Sequence, residues 1–151
     1  MAATTRCSRI ASSTLTEVGC WAYSRRYFFE AQTFDLCRAT VMLAYIRLLY
    51  EVEREARQDN LNPEQRRELR QTKSRPILED IKNYLQTEKL KVLPKSAIGE
   101  AIDYTLSNCE ALLRYTEDGE LEIDNNNGER SLRPIVVGRN NWLFSPKQPP
   151  R

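Results

Sequence analysis

No histidine occurs among these 151 residues, which removes the side chain most often used as a general base near neutral pH. A Ser-His or Cys-His nucleophile cannot be assembled within the chain. The four cysteines (Cys7, Cys20, Cys37, Cys109) are scattered and form no Cys-x-x-Cys pair, so zinc-ligand spacings are missing as well. Reduced, mostly buried thiols are expected. No apolar run approaches the roughly 18 residues that suggest a bilayer span. The Ser/Thr-rich stretch Met1–Thr16 has no apolar signal-peptide core. Internal repeats and low-complexity linkers are also lacking. A cytoplasmic protein without membrane contact is expected, and any chemistry it performs must rest on carboxylates.

What is present fits one soluble globular domain: 40% hydrophobic and 29% charged residues allow a buried core without the excess charge of a disordered chain. The net charge of +2 hides an asymmetry. Residues 1–29 balance at +3, residues 125–151 at +4, and the stretch between them at −5. Basic ends around an acidic middle suit polyanion contacts made by the terminal segments.

Apolar spacing predicts helices over most of the chain. A short strand through Val18 and Cys20 is expected to feed a helix with Trp21, Ser24, Phe28 and Ala31 on one side, Arg25 and Arg26 lying beside it. Asp35–Arg57 is the strongest helix. Leu36, Ala39, Leu43, Ile46 and Tyr50 make one stripe, and Val41, Leu48 and Val52 add a second apolar side. That breadth predicts more than one helical neighbour or a subunit contact, with solvated charges from Glu51 onward. Asn62-Pro63-Glu64-Gln65 is a helix start with a cap, a first-turn proline and a glutamine three after the cap.

That helix is predicted to run to about Lys73, where Pro76 breaks or restarts it. Ile77, Ile81, Tyr84 and Leu85 give the next helix its buried face, and Lys89–Lys95 is a basic connector. Ser96 should cap a long helix to about Tyr115, with Ile98, Ile102, Leu106, Cys109 and Leu113 inward. Asp118-Gly119 marks a turn, and Glu120–Ile123 alternates like a short strand.

The densest polar constellation is Asp124-Asn125-Asn126-Asn127-Gly128-Glu129-Arg130-Ser131-Leu132-Arg133-Pro134. With Asn126 as cap, Glu129 closes a capping box and pairs with Arg133 one turn on, which accounts for these residues without any function. A second account comes from resemblance. Ile123-Asp124-Asn125-Asn126, Glu129-Arg130, Arg133-Pro134 and Gly138-Arg139-Asn140-Asn141-Trp142-Leu143-Phe144 resemble the closing signature of insertion-sequence-66 transposases. Gly19-Cys20-Trp21-Ala22 with Arg25-Arg26 and Phe28 resembles another block of that family. Leu49-Tyr50-Glu51, Leu93-Pro94-Lys95-Ser96 and Leu113-Arg114-Tyr115-x-x-Asp118-Gly119 follow in the family's order. The resemblance covers roughly residues 17–144.

The resemblance implies kinship with DDE transposases, whose RNase H-like core holds two Asp and one Glu around two divalent ions, usually Mg²⁺, for in-line attack on a phosphodiester. Carried onto this sequence, the catalytic and metal-binding Glu is Glu129. Arg130 and Arg133 would lie near the DNA backbone or position that Glu, and Arg139 would contact a phosphate. Trp142 and Phe144 are either core anchors or stacking groups. Arg25 and Arg26 are either DNA contacts or a solvated pair. The family's two Asp precede the Gly-Cys-Trp block, where this chain offers only Glu17. Tyr23, Gly128 and Asn140 replace a usual His, Ala and Lys.

The resulting expectation is a mainly α protein with two or three short strands: the helical middle of the transposase plus an incomplete RNase H-like core. An unstructured segment at 1–16, a partial central domain at 17–144 and a Pro-rich basic tail at 145–151 complete it. Such a fragment would be inactive alone and would hold no Mg²⁺ stably. Its partners would be DNA at transposon ends, a second copy of itself or an intact transposase. The alternative role is a regulator that binds DNA or heteromerises with an intact transposase.

Overall fold

A computed structural model of the chain describes residues 18–124, whose regular structure is helical. Helix α1 (Trp21–Ala31) is followed by α2 (Leu36–Gln58), α3 (Pro63–Leu69), a π-helical turn (Arg70–Ser74), α4 (Arg75–Lys89), α5 (Ala97–Ser107), α6 (Cys109–Leu113) and a 3₁₀ turn (Arg114–Thr116). The Asp35 side chain caps α2 by accepting from the Arg38 N–H at 3.1 Å. At its far end Asn60 takes the left-handed conformation, φ 49°, and Leu61 N–H reaches back to the Ala56 carbonyl at 3.0 Å, a closure that asparagine tolerates and most residues resist. Asn62 and Gln65 form the expected capping box on α3.

Helices α1, α2, α4 and α5 pack as a ring, α1 and α4 each lying against both α2 and α5. They run antiparallel. Ser24 near the start of α1 meets Thr105 near the end of α5, Oγ to Oγ1 at 2.7 Å. Arg38 near the start of α2 reaches Glu88 near the end of α4, Nε to Oε2 at 2.6 Å. The core between them joins Trp21 and Phe28 from α1, Met42, Ile46 and Leu49 from α2, Ile81 and Leu85 from α4, and Ile98 and Ile102 from α5. This is the up-down-up-down arrangement that short connections favour.

Several sequence expectations are corrected. Among the described residues there is no strand, so the strands predicted at Val18–Cys20 and Glu120–Ile123 do not form, and the RNase H-like remnant finds no support. The alternation at 120–123 is overridden by a tight turn: Leu121 N–H bonds to the Asp118 carbonyl at 3.2 Å and Glu120 N–H to Asp118 Oδ1 at 2.9 Å, leaving no free ladder of donors. The helix predicted from Ser96 to Tyr115 divides at Asn108, whose side-chain amide donates to the Tyr104 carbonyl at 2.7 Å and so competes with the helical bond.

Pro76 does not break the chain between α3 and α4. The π-helical turn just before it widens the coil, which accommodates a residue that lacks an N–H and would crowd the carbonyl four positions back.

The α2 stripe is rotated from its predicted position. Ala39, Met42, Ile46, Leu49, Val52, Glu53 and Ala56 face inward, whereas Leu36, Val41 and Leu48 are exposed, because α1 and α4 cover only one side. The solvated charges expected beyond Glu51 therefore include a buried one, Glu53. The cysteines among the described residues are not mostly buried: Cys37 is exposed, and Cys20 and Cys109 are partly so. No helix of the described residues is long and apolar enough to cross a membrane. The segments expected to be an unstructured N-terminus (1–16) and a Pro-rich tail (145–151) lie outside the described residues.

Candidate functional site

The chain enters and leaves the helical unit at one place. Gly19 N–H donates to the Ala111 carbonyl at 2.8 Å, and Trp21 N–H donates to the Ile123 carbonyl at 3.2 Å. The indole N–H of Trp21 donates to the Leu112 carbonyl at 3.1 Å. Ala111 and Leu112 lie in the last turn of a five-residue helix, where carbonyls lack the usual helical donors, and the incoming segment satisfies them. Gly19 is needed for that approach: a Cβ there would lie 2.8 Å from Leu112 N. Ile123 is 2% exposed and pins the outgoing segment from the other side.

Beside this closure Tyr50 Oη donates to Asp124 Oδ2 at 3.0 Å. The Arg25 guanidinium carbon lies 6.0 Å from the centroid of the Tyr50 ring, at the outer limit of a cation–π contact. Burial, then the nearby Asp124 charge, push the Tyr50 phenol well above the ordinary tyrosine range, so it acts as a donor at any physiological pH.

A second anchor holds the turn before the exit. Arg70 is fully buried and meets Glu53 side by side, Nε to Oε1 at 2.8 Å and Nη2 to Oε2 at 2.7 Å. Its remaining nitrogen, Nη1, donates to the carbonyls of Tyr115 at 2.6 Å and Asp118 at 2.9 Å. Gln71 Nε2 donates to the Thr116 carbonyl at 2.7 Å. Gly119 packs so closely on Pro63 that a Cβ would overlap the Pro63 carbonyl. The buried cation is therefore satisfied by a carboxylate and two carbonyls, the condition under which such a charge is tolerated.

Sequence reasoning singled out no charge of the middle helices as interior and so missed Arg70. A signal existed: Glu53 extends the inward Met42–Ile46–Leu49 spacing, and an acid on an apolar face requires a cation.

Of the residues predicted to act on DNA, Arg25 and Arg26 stand exposed on α1. Arg26 pairs with Glu30 one turn on, at 3.1 Å, and Arg25 lies at the closure. Glu129, Arg130, Arg133 and Arg139 lie outside the described residues, as do Trp142 and Phe144. The described residues do not fit a two-metal site. No three His, Cys, Asp or Glu side chains among them gather closely enough to hold an ion, and several of the acids are engaged by other partners: Glu53 by Arg70, Asp35 and Glu88 by Arg38, Asp103 by Lys89, and Asp124 by Tyr50.

The sequence blocks that resembled a known family converge in space. Gly19–Trp21, Arg25, Tyr50, Tyr115–Gly119 and Ile123–Asp124 build the closure and its anchor, while Leu93–Ser96 caps α5 at the opposite end. There Ser96 Oγ accepts from Gly99 N–H at 3.1 Å and donates to the Leu93 carbonyl at 2.6 Å.

Comparison with known proteins agrees with this pattern. The uncharacterized protein y4qI of Sinorhizobium fredii (strain NBRC 101917 / NGR234) is 37% identical over 135 residues, 89% of this chain and 25% of that protein. Uncharacterized protein y4hP of the same strain is 33% identical over 147 residues, 89% of this chain and 26% of its own length. This chain thus spans about a quarter of the length of the curated relatives it matches. No solved structure matches it significantly. The model of the family described as "Transposase IS66 family" matches residues 5–149, and the chain belongs to that family.

Proposed function

We propose that the helical unit is an insertion carried by the catalytic core of an IS66 transposase, and that the protein serves DNA transposition. Supporting this is the hydrogen bond from Trp21 N–H to the Ile123 carbonyl, which joins the incoming and outgoing segments at one point. A unit closed in this way can be inserted into a core without moving the segments on either side. Its outgoing end leads within five residues to Glu129, the residue that matches the family's third catalytic acid.

In such a DDE reaction bound Mg²⁺ would supply activation of the attacking oxygen and stabilisation of the leaving one. Since the described acids do not fit a metal pair, the helical unit's own work is different. It holds the incoming and outgoing segments together and offers Arg25 to the phosphates of transposon ends, beside Arg130, Arg133 and Arg139 of the sequence that follows. Each phosphate contact of that kind would steepen the salt dependence of DNA binding by close to one unit in log–log slope.

Glu129 is a lone match to the family's three acids, so this 151-residue chain by itself is expected to cut no DNA with Mg²⁺ or Mn²⁺. Robust nicking that Glu129→Gln abolishes would refute that expectation. The positive test grafts the chain in place of the matching segment of a transposition-competent IS66 relative. Transposition that survives the graft and disappears with Glu129→Gln supports the proposal; survival in both sinks it.

A second reading makes the chain a regulator that pairs with an intact transposase or with its own copy. Cys37, Val41, Ala44 and Leu48 favour it, exposed at 3-4 spacing along the outer side of α2. Its test is co-purification with a full-length relative, weakened by Leu48→Glu.

A further inference from the structure

Most of the exposed apolar side chains gather at the end of the bundle farthest from the closure. Phe29, Phe34, Leu36, Leu90 and Leu93 lie there, 65% to 88% exposed, whereas the other large exposed hydrophobics among the described residues reach at most 44%. Antiparallel packing puts them together. The α1–α2 turn carries Phe34, the α4–α5 connector carries Leu90 and Leu93, and Arg38 bridges to Glu88 between them at 2.6 Å. Both corners are fixed by backbone bonds. The N–H groups of Phe34 and Asp35 return to the Ala31 carbonyl at 3.0 and 2.9 Å. The N–H and hydroxyl of Ser96 reach the Leu93 carbonyl at 3.0 and 2.6 Å. A Cβ on Gly99 would lie 2.2 Å from that same oxygen, so the connector is packed down on α5 with the Leu93 side chain outward. Side chains held on fixed backbone lose little freedom when they are covered.

We infer that this end docks on the same end of a second copy of the chain, the two related by a two-fold axis. Such a pair is independent of the transposition role proposed above, and it leaves Ala44 and Leu48 on the flank of α2 uncovered. Covering the five side chains on both copies would remove on the order of 1,200 Å² from water, the lower end of a standard interface. The two corners also differ in charge. Glu30 and Asp35 flank Phe34, whereas Lys89, Lys91 and Lys95 flank Leu90 and Leu93. In a two-fold pair each corner meets its opposite, so the connector lysines of one copy face the acids beside Phe34 of the other. Lys95 stands exposed, and Glu30 is engaged by Arg26 in an exposed pair that exchanges partners at little cost.

Other occupants match this end less well. A polyanion such as DNA would meet Glu30, Asp35 and Glu88 beside the apolar side chains, and like charges there cost affinity. A further segment of the same chain would start from the closure, which α4 alone, with 15 residues, sets about 22 Å away. A second copy supplies both charge signs and the same apolar side chains at once.

Sedimentation equilibrium on the full 151-residue chain, from about 1 to 500 μM, tests the pairing. The expected result is a monomer–dimer equilibrium with a dissociation constant in the micromolar range. Leu90→Glu and Phe34→Glu should each weaken it about ten-fold or more, while Leu48→Glu leaves it unchanged. Lys95→Glu and Glu30→Lys should each weaken it roughly three-fold, and the charge-swapped double variant should regain most of the loss. Circular dichroism should show the helical content of every variant unchanged, since these side chains are exposed. Leu90→Glu, beyond the last turn of α4, keeps the test decisive should Phe34→Glu loosen the start of α2. A chain that stays monomeric throughout overturns the pairing, and so does a dimer that Leu48→Glu disrupts and Leu90→Glu does not. No recovery in the charge-swapped double variant would overturn the two-fold arrangement. Duplex DNA binding that Leu90→Glu abolishes in a monomeric chain would assign this end to nucleic acid and sink the inference.

Discussion

Arg70 and Glu53 form the most consequential side-chain pair in the described fold. Both are withdrawn from water, at 0% and 3% side-chain exposure, and Arg70 also satisfies two backbone carbonyls that no helix serves. Removing the cation leaves the buried Glu53 carboxylate without its partner and takes the Arg70 donor from the Tyr115 carbonyl, while the Asp118 carbonyl keeps the Leu121 N–H. Arg70→Met should therefore destabilise the protein by about 3–5 kcal/mol in urea unfolding. A double Arg70→Met/Glu53→Leu variant should recover part of that loss, because no charge then remains unpaired.

The Arg38 cluster behaves differently, being partly open to solvent. The Arg38 hydrogen bond holds the Asp35 carboxyl below its ordinary range, and Lys91 followed by Arg38 does the same for Glu88. A depressed folded-state value contributes stability above the unfolded-state value and loses it as pH falls through the folded one. The stability difference between wild type and Arg38→Met should therefore be largest near neutrality and shrink on acidification below about pH 4. Urea titrations at stepped pH would show it, and a difference that grows on acidification would contradict the assignment.

Among the elements, α3 is short and has no fully buried residue, so its stability depends on its ends. Asn62 Oδ1 accepts from Gln65 N–H at 2.8 Å and Gln65 Oε1 from Asn62 N–H at 3.1 Å. This box holds Pro63 against Gly119 and so supports the clamp on the outgoing turn. Asn62→Ala should cost about 1 kcal/mol, read as a lower urea midpoint with unchanged slope. The π-helical turn at Arg70–Ser74 serves the same region: it absorbs Pro76 and directs the Arg70 side chain inward. The proline alone left undecided whether the helix breaks there, and the chain stays helical from Pro63 to Lys89.

Across the molecule, the buried apolar core of the described residues runs from Trp21 to Ile123, and the backbone closure from Gly19 to Ile123. A variant restricted to residues 18–124 should therefore melt cooperatively, at roughly the midpoint of the full chain. Circular dichroism on heating would decide it, with a broad non-cooperative loss of helix counting against an autonomous unit. The same closure underlies the proposed place of this unit in a transposase, because a domain that returns its ends to one point can be carried by a core it does not help to build.

By itself the sequence determined the helical content, the caps at Asn62 and Ser96, the inward face of α1, and Ile81 and Leu85 on that of α4. These follow from spacing and from side chains acting on neighbouring backbone, which are local properties. It also carried the family resemblance that the match over residues 5–149 bears out. Only the tertiary structure decided which side of α2 faces inward, that Asn108 divides a helix, that an alternating tetrapeptide turns instead of pairing, and that Arg70 is interior. Each depends on partners dozens of residues away: Arg70 on Glu53, Tyr115 and Asp118, and Tyr50 on Asp124. The physical reason is that a buried polar group is specified by what satisfies it, and that partner is a neighbour in space and not in the chain.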